Sequence, residues 1–306
     1  MANIFILFFS TLILFGKVTT LSPSETDLSQ KLDVLAKNFR GDVGIYAKHL
    51  KTGETFEINA DSLFPTASMI KVPIMLAMFN RIEKGELEYK AELAWYADSI
   101  NYPYDGGILW SYQEGKKISL DKLISLMITY SDNHASLWLQ KLAGSGTAIN
   151  DWLDTHGFKN TRVNSRTEGR DEGYRKYGWG QTSPREMAEL LVMIREEKAV
   201  SPAASQEMYR VLTRPYWTGE AISQIPPYVQ AACKNGSVSR SRSEVVLVNA
   251  PSGDYVFCVI TKNQLDQSWD YENEGDVLIR NVSRLLWEYF EPESDWLQAE
   301  NSENYR

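Results

Sequence analysis

Apolar positions alternate between two periods along this chain. Near the start, Leu28, Leu32, Leu35 and Phe39 fall close to one helical face behind the polar opening Ser24-Glu25-Thr26-Asp27. Gly41 ends that helix. Residues 43–47 and 54–58 then read as strands, joined by a Lys51-Thr52-Gly53 hairpin turn. Residues 72–79 are almost wholly apolar and run into Arg81, Glu83 and Lys84 before Gly85, which predicts a buried helix opening near Ser68. Further helices are predicted from Ser119, read as an N-cap, to about residue 130, then over 135–142, 149–155, 185–198 (opened by Thr182-Ser183-Pro184) and 202–213. The period returns to strands at 230–236, 243–249 and 254–261, and a last amphipathic helix spans 275–290.

Strands at both ends with helices between them predict an α+β fold. One antiparallel sheet is built from both chain ends and flanked by helices, in a lobe of residues 24–63 and 206–290. An all-helical lobe, residues 64–205, is inserted, with a cleft between the two. The aromatic-rich stretch 95–112, with Gly106-Gly107, reads as a loop bordering that cleft. The polar, glycine-punctuated stretch 159–181 reads as one long functional loop. The acidic tail, 291–306, is expected to be mobile.

The chain has 306 residues, 43% of them hydrophobic, ample for a sizeable core. Its net charge of −8, without a basic stripe, argues against a nucleic-acid partner. Residues 4–15 are apolar but short of the roughly 20 needed to span a bilayer, so residues 1–20 are expected to be a signal peptide, with cleavage between Gly16 and Ser24. That implies a secreted or periplasmic protein with no stable membrane span after processing. An uncleaved anchor is the alternative. A monomer is expected. His49, His134 and His156 are scattered, so neither a metal site nor a cofactor is expected. Cys233 and Cys258 fall on predicted strands two apart, about 9–10 Å, beyond the roughly 7 Å a disulfide allows. Two free, buried thiols are expected.

Ser68 and Lys71 are three apart at a helix start, so they share a face. A hydroxyl nucleophile needs a neighbour to take its proton, and an amine held in an apolar run is pushed toward its neutral form. The same spacing at Ser119 and Lys122 reads as an ordinary cap. What separates the first copy is company: Ser131-Asp132-Asn133 and Lys234-Asn235-Gly236 follow in order.

Over nearly its whole length the chain resembles class A β-lactamases and penicillin-binding proteins, whose signature is Ser-x-x-Lys, Ser-Asp-Asn and Lys-Thr-Gly. The literal Lys51-Thr52-Gly53 precedes Ser68 and is read as a turn. The resemblance implies that Ser68 is acylated and Lys71 takes its proton. Ser131 relays a proton to the leaving nitrogen, and Asn133 holds the substrate amide and the Lys71 amine. Lys234 lowers the Lys71 pKa and attracts a carboxylate, with help from Arg240 or Arg242. Gly236 admits the substrate, and the N–H groups of Ser68 and Ser237 form an oxyanion hole.

Two departures stand out. Asn235 replaces the family's Thr or Ser. The family's Glu-x-x-Leu-Asn segment, whose Glu activates the deacylating water, is missing: counting from Thr161-Arg162 the Glu position falls on Thr167, and Glu168 serves only if the loop is re-registered. The expected function is a serine acyl-hydrolase opening β-lactam rings. The alternative is a penicillin-binding peptidase that deacylates slowly, acting on a peptidoglycan peptide. A catalytically inert binder on the same fold is disfavoured, because it has no need of Ser68, Lys71, Ser131, Asn133 and Lys234 together.

Overall fold

The structure, a computed structural model, describes residues 23–103 and 106–305. The expected signal peptide lies outside the described residues. Helix α1 (Pro23–Asn38) leads into β1 (Asp42–His49) and β2 (Thr55–Ile58). β3 (Phe64–Pro65) and a 3₁₀ turn, Ala67–Ile70, carry the chain into α2 (Lys71–Glu83). Then come β4 (Glu92–Ala94), β5 (Lys117–Ser119), α3 (Leu120–Ser125), α4 (Asn133–Leu142) and α5 (Ser145–Thr155). They are followed by β6 (Arg162–Val163), α6 (Asp171–Tyr177), β7 (Gly180–Thr182), α7 (Pro184–Arg195) and α8 (Pro202–Leu212). The chain closes with β8 (Ala231–Val238), β9 (Ser241–Val248), β10 (Tyr255–Lys262) and α9 (Glu274–Phe290).

The main sheet runs β2-β1-β10-β9-β8, antiparallel throughout, so the two chain ends meet where β1 pairs with β10. Alternate residues face opposite sides. Ile45, Val246, Phe257 and Val259 pack against α1 and α9, while Tyr46, Val245, Leu247 and Ile260 join the larger core that holds the helices. Cys233 and Cys258 are free and buried, on β8 and β10 with β9 between them.

Several expectations need correction. The central stretch is not all helical: β3-β7-β6 and β4-β5 form two small sheets within it. Strands of two or three residues are too short to show a period. The 159–181 stretch is not irregular, since it holds β6, α6 and the start of β7. α6 is polar all round and leaves no apolar stripe; Asp171 and Glu172 in its first turn and Arg175 and Lys176 in its last suit the helix dipole instead. Helix α7, placed by its sequence in the helical lobe, packs on β1, β9 and β10. Ser119 stands at the N-cap of α3 but its side chain makes no cap bond. The acidic tail touches the body at two points: Trp287 Nε1 donates to Ser294 Oγ (3.3 Å) and Gln224 Nε2 to Gln298 Oε1 (2.7 Å).

Candidate active site

Ser68 sits in the 3₁₀ turn that opens α2, and Lys71 is the first residue of α2. The helix that follows is buried from Lys71 to Phe79, so it has no freedom to rotate the pair apart. Lys71 is 0% exposed. Its Nζ lies 2.9 Å from Ser68 Oγ, 2.6 Å from Ser131 O, 2.9 Å from Ser131 Oγ and 2.8 Å from Asn133 Oδ1. Those acceptors come from two elements 60 residues apart in the chain.

Backbone strain places them. After α3 the chain winds through a π turn, Leu126–Tyr130, and reverses at Ser131, whose φ is +64°. A non-glycine residue in this left-handed region is uncommon and is held there by its surroundings. The reversal turns both oxygens of Ser131 toward Lys71. Asp132 then caps α4, accepting from Ala135 N–H (2.9 Å) and, from across the cleft, from Leu109 N–H (3.0 Å). Ala67, immediately before Ser68, is the second left-handed residue beside the site (φ +44°).

Burial pushes the Lys71 amine well below its ordinary pKa; the Lys234 charge pushes in the same direction, while Asp132 opposes it. Lys234, on β8, is 2% exposed. Burial brings it down to about 8. Its Nζ donates to Asn235 O and Asn235 Oδ1, both at 2.9 Å. The amide at position 235 thus serves Lys234 itself.

β8 runs hard against the nucleophile. A Cβ at Gly236 would lie 2.8 Å from Ser68 N and 2.6 Å from Thr66 O, so only glycine fits. This brings the Ser68 backbone N–H beside the strand that carries Ser237. Ser68, Ser131, Asn133, Asn235, Gly236 and Ser237 line one cavity of about 970 Å³. Gly106 and Gly107 border it from the 95–112 stretch, and residues 216–220 and Trp269 close other sides.

Two sequence-derived assignments need correction. Arg242 lines the cavity but is 1% exposed and occupied. Its Nη1 donates to Val238 O (2.5 Å) and Ser241 O (3.2 Å), Nη2 to Ser268 O (2.5 Å) and Nε to Asp276 Oδ2 (3.2 Å). A guanidinium so spent ties the β8–β9 turn to the 268–276 segment and has little left for a substrate carboxylate. The partner at Asp276 lies on a different element and gave no signal in the sequence. Arg240 turns elsewhere, to Asn263 O (3.2 Å) and Gln264 O (3.4 Å).

Glu168 is exposed and lies outside the lining of the Ser68 cavity. The loop is not re-registered around it. Thr167, at the counted position, is buried; its Oγ1 donates to Ser165 O (2.9 Å) and packs where a Cβ on Gly146 would clash. Arg166, left-handed at φ +50°, turns outward to Ile100 O (2.5 Å) and Asn101 O (2.9 Å). Thr167 borders a second cavity, of about 760 Å³, between Tyr102 and Trp179; among the described residues Asp171 is the carboxylate on its lining.

Two positioning residues escaped the sequence reading. Glu186, on α7, accepts from the N–H groups of Lys159 (2.8 Å), Asn160 (2.9 Å) and Thr161 (2.7 Å), and so anchors the start of the 159–181 segment. A Glu three residues into a helix that starts Ser183-Pro184 looks like a plain capping residue. His134 is fully buried among the rings of Trp95, Tyr102 and Trp110, where it holds the 95–112 stretch beside Asn133. Asn133 Nδ2 reaches Tyr102 Oη at 3.4 Å. Among the described residues no cluster of His, Cys, Asp or Glu could hold a metal, and no helix is long and apolar enough to cross a membrane.

This geometry has relatives. The model of the beta-lactamase enzyme family matches residues 27–290. Beta-lactamase VEB-1 of Pseudomonas aeruginosa is 22% identical over 282 residues, covering 88% of this chain and 92% of that protein. The structure of PBP-A superposes with a TM-score of 0.76 at 26% identity, over 87% of this chain and 97% of that one; a PBP-A variant is known as an acyl-enzyme complex with penicillin G. A class A beta-lactamase structure from Bacteroides cellulosilyticus shares the fold, with a TM-score of 0.77 at 19% identity over 89% of this chain and 100% of that one. The chain belongs to the beta-lactamase enzyme family and has its class A-like fold.

Proposed function

We propose that this protein is a serine acyl-hydrolase that opens β-lactam rings through a covalent intermediate on Ser68. One observation carries the reading: the amine of Lys71 is buried, shifted toward neutrality and 2.9 Å from the Ser68 hydroxyl. A neutral amine offers a lone pair. Ser68 Oγ bonds to the lactam carbonyl carbon while its proton passes to Lys71 Nζ. The oxyanion rests on the N–H groups of Ser68 and Ser237. The C–N bond then breaks, and Ser131 Oγ, 2.9 Å from Nζ, passes the proton to the leaving nitrogen. Asn133 keeps its Oδ1 on Lys71 and turns its NH₂ to the substrate amide.

A second reading concerns the rate of the next step. Thr167 takes the place of the family's water-activating Glu, and Glu168 is exposed. That favours slow deacylation, as in a penicillin-binding peptidase, and PBP-A at 26% identity is in keeping with it. The substrate would then be a peptidoglycan peptide, met outside the cytoplasm after signal-peptide removal.

Purified protein mixed with penicillin G, followed by ring-opening absorbance and intact mass together, tests both readings. A penicilloyl adduct that vanishes in Ser68→Ala supports the common step. Turnover without a lasting adduct selects the β-lactamase, and a lasting adduct selects the slow deacylator. No adduct and no hydrolysis overturn the proposal.

A further inference from the structure

The Lys234 end of the cavity carries acids where cations were expected. Glu220 ends the 216–220 wall; its Oε2 is buried without a hydrogen-bond partner, and the residue lines the cavity with Asn235, Ser237 and Asp276. The cations around it are already engaged. Lys234 Nζ donates to Asn235. Arg242 is held by Asp276 and backbone carbonyls. The Arg280 guanidinium lies 3.8 Å over the Tyr271 ring and donates to Tyr271 O (2.5 Å).

Behind this wall Glu244 is fully buried on β9, opposite Asn235, and its Oε2 accepts from the N–H of Ala221 (2.7 Å), the residue after Glu220. That bond fixes where Glu220 stands. Burial and then the Glu220 charge push Glu244 up to about 8, and the same two causes push Asp276 up to about 6. At both acids, and at Lys234 against the pull of burial, the Glu220 carboxylate acts as a nearby negative charge.

We infer that Glu220 is a specificity-determining residue. Its carboxylate offsets Lys234 at the end of the cavity where a substrate carboxylate would rest. It therefore disfavours ligands with a free carboxylate there and favours those whose carboxyl is esterified or amidated. A like charge across a shielded cavity suppresses the wrong partner more than it helps the right one. The inference rests on the reading of Ser68 as the nucleophile of this cavity, because that fixes where the lactam ring lies.

Binding in a Ser68→Ala background separates this from acylation. Penicillin G and its methyl ester have the same ring and side chain and differ in one charge. Their dissociation constants are measured by NMR titration against Ser68→Ala and against the double variants that add Glu220→Gln or Glu220→Ala, with the thermal midpoint of each recorded. Removing the Glu220 charge is expected to tighten penicillin G by about tenfold and to leave the ester within about twofold. Penicillin G no tighter in either double variant, or acid and ester moving together, overturns the inference. Neither outcome depends on whether Ser68 is acylated.

Discussion

The surroundings of Lys71 and those of Thr167 border two different cavities and are built on opposite plans. At Lys71 the amine is sealed from water and meets four acceptors, two of them brought to it by a strained residue, Ser131. At Thr167 the chain is fastened just as firmly: Glu186 holds residues 159–161, Arg166 holds 100–101, and Arg170 Nη2 reaches Asn164 Oδ1 and Gln181 Oε1, both at 2.7 Å. Yet the fastening presents a methyl and a spent hydroxyl instead of a carboxylate. On the proposed reading Ser68 and Lys71 are placed to form an acyl-enzyme, while Thr167 offers no base to clear it. Rigidity alone does not distinguish a catalytic segment from a structural one; the chemistry of the side chain it presents does.

The sharpest way to break this comparison is at Lys71. Lys71→Ala is expected to slow acylation by penicillin G by about 10²–10⁴-fold, read as the rate of adduct formation by mass. A loss under tenfold would mean that another base serves Ser68. Thr167→Glu sharpens the other side. Supplying a general base is expected to shorten the adduct lifetime by up to about 10²-fold while leaving its formation rate nearly unchanged, read by pulse-chase mass measurement. An unchanged lifetime would place the limit on deacylation elsewhere.

The pH profile ranks next. Acylation needs Lys71 neutral, so its rate should rise as pH climbs through the lowered pKa of that amine. For a carboxylate-bearing substrate it should fall again above about pH 8, where Lys234 loses its charge. The methyl ester should lack that fall. The same linkage acts on stability. With folded-state pKa values below the unfolded one, both lysines bind fewer protons in the native state, so stability rises with pH between the two values and is lost as pH falls through the folded one.

The smallest effect is expected at Glu186. Glu186→Ala strips the acceptor from three backbone N–H groups and should cost about 1–3 kcal/mol in denaturant unfolding, with adduct formation barely altered. If acylation fell in step with stability, the 159–181 segment would be supporting Ser68 as well.

Much of this cleft was legible in the sequence, and the reasons differ by element. Helices α2, α7 and α9 and strands β8 to β10 bury a continuous or periodic apolar face, so burial wrote their pattern into the chain. The pairing of Ser68 with Lys71 was legible because three-residue spacing on a helix is geometry. The convergence of Ser131 and Asn133 on the same amine was legible only through the family signature. Helix α6 was hidden because its support is electrostatic, and the small sheets because they are too short for a period. The engagement of Arg242 and the orphaned oxygen of Glu220 were hidden for another reason: each depends on partners from other elements, and only folding decides who those are.

The account stands on the charge state of one amine, which ¹⁵N-detected NMR of the Lys71 side chain reads directly, assigned by difference with Lys71→Ala. The expected result is an Nζ signal that loses its proton well below the pH at which an ordinary lysine does. A Lys71 resonance that stays charged at pH 7 and titrates near the ordinary 10.5 would contradict it, because Ser68 would then have no base beside it.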